Sequence, residues 1–292
     1  MFEKLSLEHM ELYKRYTAGK YICAESSFSN MYIWRNVIST EIDVINDMLV
    51  LKVCLKGICK FVMPFGDNKN AIGCVDALLN MCRERGTKLE IIGADKEFAE
   101  IIQTNGYDCE FEQDRNACDY IYLSEKLATL SGKKLHSKKN HVNRFKTENQ
   151  YEFKLLQPHM LGECYEKTRI WMHKKYEGDA SKYNSELETI KTLIDNFELF
   201  NLTGGAIYTE NGLIAYTIGE GLTDDMALIH VEKADTDYNG AFAAINYEFA
   251  NHLKEKYKYI NREEDMGIEG LRKAKESYRP EFLVDKIKCK FE

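Results

Sequence analysis

Two successive runs of predicted helices and strands have the same order in this chain, and that repeat constrains its fold more than any other feature. In each half, a meander of strands is followed by a helix, a strand, a second helix and a last strand. In the first half, Lys56 and Gly57 separate two strand-like segments, as in a hairpin. In the second half, Asn211 and Gly212 predict a tight turn. The repeat predicts an α+β fold with two similar units, each a mixed, mainly antiparallel sheet flanked by helices.

Short polar residues and glycines mark where several helices begin and end. One of the serines in "AESSFSN" is expected to cap the helix that follows it, and Asp95 is expected to cap the helix of "DKEFAEIIQTNG". Gly86 is expected to end the helix before it. The last apolar segment, "EFLVDKIKCKF", predicts a single strand. The element order gives an N-terminal domain of residues 1–128 and a C-terminal domain of residues 129–292, which carries the candidate site.

The composition suits a folded, water-soluble chain and argues against several classes of protein. Hydrophobic residues make up 44% and charged residues 30%, which is enough apolar material for a core. The net charge of -7 argues against a general nucleic-acid-binding protein, although a local basic patch remains compatible with it. The N-terminus lacks the apolar core of a signal peptide, and no segment reaches the roughly 18 apolar residues of a spanning helix. We therefore expect a cytoplasmic protein with no transmembrane segment and no DNA partner.

The nine cysteines form no recognisable metal or redox motif. No CxxC pair occurs, and the seven histidines do not supply clustered ligands at short spacing. We therefore expect no metal, and we expect reduced cysteines that are mostly buried. The GxSxG motif of serine hydrolases and the P-loop motif GxxxxGK[ST] do not occur either.

Gly240 and Ala241 lie where a predicted strand, "MALIHVEKA", leads into a long predicted helix. Free backbone N–H groups at the start of a helix can bind a phosphate or a carboxylate. These two residues are small enough to let such a ligand approach. The alternative is a plain helix start that is capped by Asp235 or Asp237.

The segment "GKKLHSKKNHVNRFK" contains no acidic residue in a chain that is acidic as a whole. Its cations could neutralise the phosphates of tRNA, a lipid head group or CoA, and its asparagines could form hydrogen bonds to the ligand. The candidate substrate-binding residues of this segment are Lys133, Lys138, Lys139, Asn140, Asn143 and Arg144. The alternative is a solvated helix that turns Leu135, Val142 and Phe145 inward.

The third candidate is the densely charged segment "REEDMGIEGLRKAKESYRP". Glu264 or Asp265 could act as a general base, and Tyr278 could act as a general acid. Arg272 and Lys275 could bind an anionic donor. The alternative is structural, because acids before a helix start are favourable there and a tyrosine at this spacing can face the core.

Four blocks of sequence carry a resemblance to a known family. They are "AESSFSNMYIW", "LSGKKLHSKKNHVNRFK", "HVEKADTDYNGAFAAINYEFANHL" and "YINREEDMGIEGLRKAKESYRPEFLVDK". Over nearly its whole length, the chain resembles a bacterial family related to the C-terminal domain of phosphatidylglycerol lysyltransferase. The resemblance implies a tandem pair of GNAT-like acyltransferase domains, akin to the Fem-type aminoacyltransferases.

The resemblance also implies where a donor would bind and what would be transferred. In such folds the donor phosphates meet the turn that Gly240 and Ala241 occupy here, although Asp237 and Phe242 depart from the GNAT pattern for CoA. The Fem and lysyltransferase groups use aminoacyl-tRNA instead. The implied function is an aminoacyl- or acyltransferase that moves an activated group from aminoacyl-tRNA or acyl-CoA to an amine or a hydroxyl, with no firmly implied cofactor. A non-catalytic GNAT-like binding protein is the alternative.

Overall fold

The computed structural model describes the whole chain, Met1–Glu292. It contains fifteen strands and ten α-helices, which are joined by turns and short 3-10 segments. The strands are β1 (Glu3–Lys4), β2 (Ser39–Ile45), β3 (Met48–Leu55), β4 (Ile58–Val62), β5 (Phe65–Gly66), β6 (Glu90–Ala94), β7 (Cys109–Gln113), β8 (Asp119–Leu123), β9 (Glu152–Leu155), β10 (Thr203–Thr209), β11 (Gly212–Gly221), β12 (Met226–Ala234), β13 (Tyr259–Asn261), β14 (Phe282–Val284) and β15 (Ile287–Phe291). The helices are α1 (Met10–Thr17), α2 (Phe28–Trp34), α3 (Ala71–Glu84), α4 (Lys96–Thr104), α5 (Ser124–Thr129), α6 (His136–Glu148), α7 (Leu161–Lys175), α8 (Asn184–Asp195), α9 (Ala241–Leu253) and α10 (Glu269–Glu276).

The first compact unit consists of residues 1–119, 264–269 and 283–292. Its sheet has the strand order β1-β2-β3-β4-β6-β15-β7, and β5 pairs with β3. β4 and β6 run parallel, whereas β2, β3 and β4 form an antiparallel meander. Tyr13 and Phe65 are among its fully buried core side chains.

The second compact unit consists of residues 120–263 and 270–282. Its sheet has the strand order β14-β8-β13-β12-β11-β10-β9. β9 to β12 form an antiparallel meander, and β12 pairs with β13 in parallel. One of its core clusters consists of Phe145, Ile207, Ile214, Ala215, Ala234, Ala241, Ala244 and Ile245. The two mixed sheets with their helices confirm the predicted α+β class.

The compact units differ from the predicted division into residues 1–128 and 129–292. The last strand, β15, lies between β6 and β7 of the first sheet, and β8 lies between β13 and β14 of the second sheet. Each sheet therefore includes one strand from the other half of the chain. The predicted single strand of "EFLVDKIKCKF" is consequently two strands, β14 and β15, which belong to different sheets.

The predicted helix starts and the hairpin turn at Lys56 and Gly57 agree with the structure, whereas the turn predicted at Asn211 and Gly212 lies one residue earlier, at Glu210 and Asn211. The Ser27 side chain accepts a hydrogen bond from the Asn30 backbone at 3.0 Å, and Asp95 accepts one from the Phe98 backbone at 2.7 Å. Gly86 has a φ of 65° just beyond the end of α3, where a side chain would be strained. None of the ten helices combines the length and the apolar composition needed to cross a bilayer.

The expectation of reduced cysteines is wrong for one pair. Cys54 of β3 and Cys59 of β4 lie directly opposite each other in the hairpin and form a disulfide. Opposed positions in an antiparallel pair bring the two Cβ atoms close together, which explains the bond. Seven cysteines are free, and all of these except Cys109 are buried.

Candidate functional site

The sheet of the second unit opens between β12 and β13. These parallel strands pair over only three residues of β12, although β12 continues to Ala234 beside β11. The part of β12 beyond this pairing carries His230 and Glu232, and the residues that follow β13 are Arg262 and Glu263. Four charged residues therefore come from two neighbouring strands at the point where the strands part.

His230 is held between two carboxylates. Its side chain is fully buried, with Nε2 3.0 Å from Glu220 Oε1 and Nδ1 2.9 Å from Glu263 Oε1. Burial alone would lower its pKa, but the hydrogen bonds and charges of Glu220 and Glu263 outweigh burial and raise the pKa to about 9. His230 is thus an imidazolium at neutral pH that donates on both sides. These three side chains therefore form an ion cluster.

Arg262 and Asn246 meet on one carboxylate, that of Glu232. Arg262 Nη2 lies 2.9 Å from Glu232 Oε1, and Asn246 Nδ2 lies 3.3 Å from Glu232 Oε2. Two atoms of this group, Arg262 Nη1 and Asn246 Oδ1, are buried and have no hydrogen-bond partner in the protein. Buried polar groups are nearly always hydrogen-bonded, so both atoms are candidates for a hydrogen bond to a ligand.

Tyr278 lies between two cations. Its ring centre is 5.0 Å from Arg262 Cζ and 4.5 Å from Lys138 Nζ, and 6% of the residue is exposed. Burial raises the pKa of Tyr278 to about 12, so its hydroxyl keeps its proton. Burial lowers the pKa of the Lys138 ammonium, and the positive charge of the nearby Arg262 also lowers it. The negative charge of Glu232 raises it, but by less. This arrangement concentrates positive charge and one phenolic proton in a largely dry environment.

The Lys275 side chain forms hydrogen bonds to the backbone of its own unit. Its Nζ donates hydrogen bonds to the backbone carbonyls of Arg262 and Glu263, the latter at 3.1 Å, and 8% of the residue is exposed. Its own carbonyl accepts a hydrogen bond from the Tyr122 hydroxyl at 2.8 Å. Lys275 thereby fixes the backbone that presents the Arg262 guanidinium.

The basic segment forms α6 and the turn before it, and its members differ in their surroundings. Leu135, Val142 and Phe145 are buried, as in the structural alternative. Lys138 is partly buried and reaches the ring of Tyr278. The other predicted members are exposed: Lys133, Lys139, Asn140, Asn143 and Arg144. Arg144 forms an ion pair with Glu148 on the same helix at 2.6 Å.

Gly240 has a packing reason of its own. It adopts a φ of 88°, and a Cβ at this position would lie 2.6 Å from the carbonyl oxygen of His141 in α6. The glycine therefore allows α6 to approach the start of α9 closely. Ala241 is buried, and its backbone N–H donates to the Tyr238 carbonyl at 3.1 Å. No side chain caps α9, contrary to the alternative in which Asp235 or Asp237 does so.

Glu264 and Asp265 belong to the first unit, whereas the cluster described above belongs to the second. Asp265 is fully buried, forms an ion pair with Arg115 at 3.2 Å and accepts a hydrogen bond from the Gly267 backbone at 2.8 Å. These contacts order the loop before α10. Arg272 is partly buried on α10 in the second unit.

Sequence reasoning missed four residues of the cluster. His230 and Glu232 alternate with apolar residues in β12, and Asn246 lies among the buried, mostly apolar residues of α9. Each of these is a polar residue where a core residue is expected, and that exception is a usable signal. Arg262 was part of the quoted charged segment, but nothing local distinguished it from its neighbours.

Known proteins similar to this chain agree with this architecture. A conserved protein of unknown function from Bacteroides thetaiotaomicron has 34% identical residues and a TM-score of 0.92, covering 100% of this chain and 99% of that one. The structure of L-PGS from Bacillus licheniformis has a TM-score of 0.70 at 15% identity, with 98% and 92% covered. A tandem GNAT protein from the clavulanic acid biosynthesis pathway has a TM-score of 0.50 at 8% identity, with 99% and 98% covered. The fold is therefore that of two GNAT-like domains.

The comparison of sequences gives the family. An uncharacterized protein of Mycoplasmoides gallisepticum is 29% identical over 192 residues, which are 63% of this chain and 59% of that protein. The chain thus spans less than two thirds of that relative. The family model described as "Phosphatidylglycerol lysyltransferase, C-terminal" matches residues 21–290. The chain belongs to the family of the C-terminal domain of phosphatidylglycerol lysyltransferase.

Proposed function

We propose that the second unit transfers an acyl or aminoacyl group from a phosphate-bearing donor to an amine or a hydroxyl. The observation that carries this proposal is the unpartnered Arg262 Nη1 beside Lys138 and Tyr278. Attack on an ester or thioester carbonyl turns its oxygen into an oxyanion, and fixed donors in a dry site stabilise that charge strongly. The guanidinium N–H and the nearby cation supply such donors.

Tyr278 is suited to protonate the leaving group. A group with a pKa of about 12 remains protonated at neutral pH, and an alkoxide leaving group is basic enough to take its proton. Glu264 and Asp265 stay predictions for the general base. The ion pair of Asp265 with Arg115 does not favour that role.

Aminoacyl-tRNA is the donor that we favour, and acyl-CoA is the other candidate. The family description names lysyl transfer, which uses an activated amino acid. Exposed Lys133 and Lys139 belong to the same segment as Lys138 and could meet donor phosphates outside the buried cluster. Both donors occur in the cytoplasm, so we place the reaction there.

Two assays test the proposal: one identifies which donor binds, and the other shows whether its acyl group is transferred. The melting temperature of the protein is measured with aminoacyl-tRNA, uncharged tRNA and acyl-CoA, because a ligand that binds only the folded state raises it. Transfer is followed as loss of labelled aminoacyl group from tRNA when amine and hydroxyl acceptors are supplied. We expect stabilisation by charged tRNA above that by uncharged tRNA, together with transfer. No stabilisation by any donor and no transfer would refute the proposal.

A ligand-binding protein without turnover is the second candidate. It is favoured by the internal contacts of two predicted site residues, since Asp265 forms an ion pair with Arg115 and the Lys275 ammonium donates to backbone carbonyls. Stabilisation by a donor without any transfer would be the result that this candidate predicts.

A further inference from the structure

We propose that Arg262 and Asn246 are specificity-determining residues that together bind an acyl group carrying its own N–H or O–H donor. Aminoacyl and hydroxyacyl groups belong to this class, and plain acyl chains do not. The inference rests on the proposed function, because the bound group would be the one that is transferred.

The proposed site offers one hydrogen-bond donor, Nη1, which is the second terminal nitrogen of the Arg262 guanidinium. Nη2 donates to Glu232 Oε1 at 2.9 Å, which anchors one end of the guanidinium. Nη1 is buried and has no partner in the protein. A guanidinium N–H can only donate, so the matching ligand atom is an acceptor such as a carbonyl oxygen.

The proposed site also offers one hydrogen-bond acceptor, the amide oxygen of Asn246. This residue lies on α9 and is 7% exposed. A carboxylate can only accept, so the amide NH₂ must face Glu232, to which Nδ2 donates at 3.3 Å. Oδ1 therefore points away from Glu232, and it is buried without a partner. The matching ligand atom is a hydrogen-bond donor.

The Arg262 and Asn246 side chains lie next to each other because both donate a hydrogen bond to the same carboxylate, that of Glu232. A plain acyl chain has an acceptor oxygen but leaves Asn246 Oδ1 unpaired, and an unpaired buried group weakens binding. A group with both an acceptor and a donor completes both hydrogen bonds. The Tyr278 ring, 5.0 Å from Arg262 Cζ, forms a wall beside the guanidinium.

The test uses four small probes whose binding to the wild-type protein is measured by ligand-observed NMR. Alanine methyl ester and methyl lactate carry an acceptor and a donor, methyl propionate carries only the acceptor, and ethylamine carries only the donor. We expect one or both of the first two to bind at least about tenfold more tightly than methyl propionate. Which of the two binds more tightly shows whether the donor is an amine or a hydroxyl. Equal binding of the three esters, or no binding of any, would overturn the proposal.

Two variants locate the preference. Arg262→Lys keeps a cation for Glu232 but removes Nη1, and Asn246→Leu removes the amide oxygen at similar volume. In each variant, the esters that carry a hydrogen-bond donor should bind about as tightly as methyl propionate. The matched controls, Arg169→Lys and Asn184→Leu on exposed positions of α7 and α8, should retain it. Retention of the preference in both folded cluster variants would overturn the assignment, and if they do not fold, the wild-type probe series decides.

This outcome can be separated from that of the proposed function. A clear preference among the probes, without transfer from any donor, would keep the binding site and refute the transferase. Transfer without any preference among the probes would keep the transferase and refute the binding site.

Discussion

Both units contain buried charges, and the Lys286 cluster of the first unit differs from the Arg262 cluster of the second unit in how its charges are neutralised. In the first unit, the Lys286 side chain is 1% exposed and lies 2.7 Å from Glu25 and 2.8 Å from Asp119. The second oxygen of Asp119 accepts a hydrogen bond from the Ala24 backbone at 2.7 Å. In the second unit, the Arg262 guanidinium binds Glu232 with one nitrogen and has a second, buried nitrogen without a partner.

The difference distinguishes a structural cluster from one suited to a ligand. Lys286 joins elements that are distant in sequence, because β15 is the C-terminal strand of the chain and Glu25 precedes α2. The Glu25 Oε2 atom has no hydrogen-bond partner, but it still lies 2.7 Å from the Lys286 ammonium, so an opposite charge within the protein faces it. A buried guanidinium nitrogen and amide oxygen that the fold leaves unmatched are costly unless a ligand completes them.

Lys286→Met should cause the largest loss of stability. It leaves the buried Asp119 carboxylate without its cation, and breaking a buried ion pair costs about 3–5 kcal/mol. Denaturant unfolding measures the loss. Lys290→Met is the control, because Lys290 is 39% exposed and pairs with Glu112 at the surface, so it should cost no more than about 1 kcal/mol. Equal losses in both variants would mean that the first cluster is not structural.

Raising the pH should weaken the second unit through His230. Its pKa is raised in the folded state to about 9, from an ordinary value of 6.5, so its stabilising contribution is complete below pH 6.5 and is lost as the pH rises through 9. The shift corresponds to about 3 kcal/mol at 1.36 kcal/mol per pH unit. Denaturant unfolding at pH 6.5, 8 and 9.5 measures it. The variant His230→Gln should lose this pH dependence, and a wild-type stability that is flat over the range would contradict the ion cluster of His230, Glu220 and Glu263.

Local features of the fold were predictable from sequence, and long-range pairings were not. Ser27, Asp95 and the Asn211 turn act within a few residues of themselves, so their effects follow from local chemistry. The pairing of Cys54 with Cys59 was also available, because a two-residue turn at Lys56 and Gly57 places these residues opposite each other. The exchange of β8 and β15 between the sheets depends on contacts between strands far apart in sequence, and no local signal specifies it.

The candidate site was predictable only in part for the same reason. The charge of Lys138 and the phenol of Tyr278 predict both as site residues, and the structure brings them together. Arg262, Glu232 and Asn246 come from three different elements, and their meeting depends on the register of β12 and on the packing of α9. That geometry is a property of the folded unit and not of any single segment.

Lys275→Met and Lys138→Met should separate a structural lysine from one available to a ligand. Loss of the Lys275 ammonium leaves two carbonyls without their donor and should lower the free energy of unfolding by about 2 kcal/mol. Lys138 contacts a ring and has no carboxylate in an ion pair, so its loss should cost less than about 1 kcal/mol. The affinity for the acyl donor should fall more in Lys138→Met than in Lys275→Met. A larger stability loss for Lys138→Met would reverse this distinction.

The smallest effect is expected at the exposed part of the basic segment. Lys139→Ala should change the free energy of unfolding by less than about 0.5 kcal/mol, because the side chain is exposed. If this residue meets a tRNA phosphate, the slope of log affinity against log salt should fall by about 1. Titration of tRNA at several salt concentrations measures this slope, and an unchanged slope would remove Lys139 from the donor site.

The central claim is that the Arg262 cluster is kept for a ligand. Its most direct test is the shift in melting temperature that a saturating donor produces in the wild type and in Arg262→Lys, with both proteins first shown to be folded. The account predicts that the donor raises the melting temperature of the wild type and raises that of Arg262→Lys much less. An equal donor-induced shift in both proteins would contradict it.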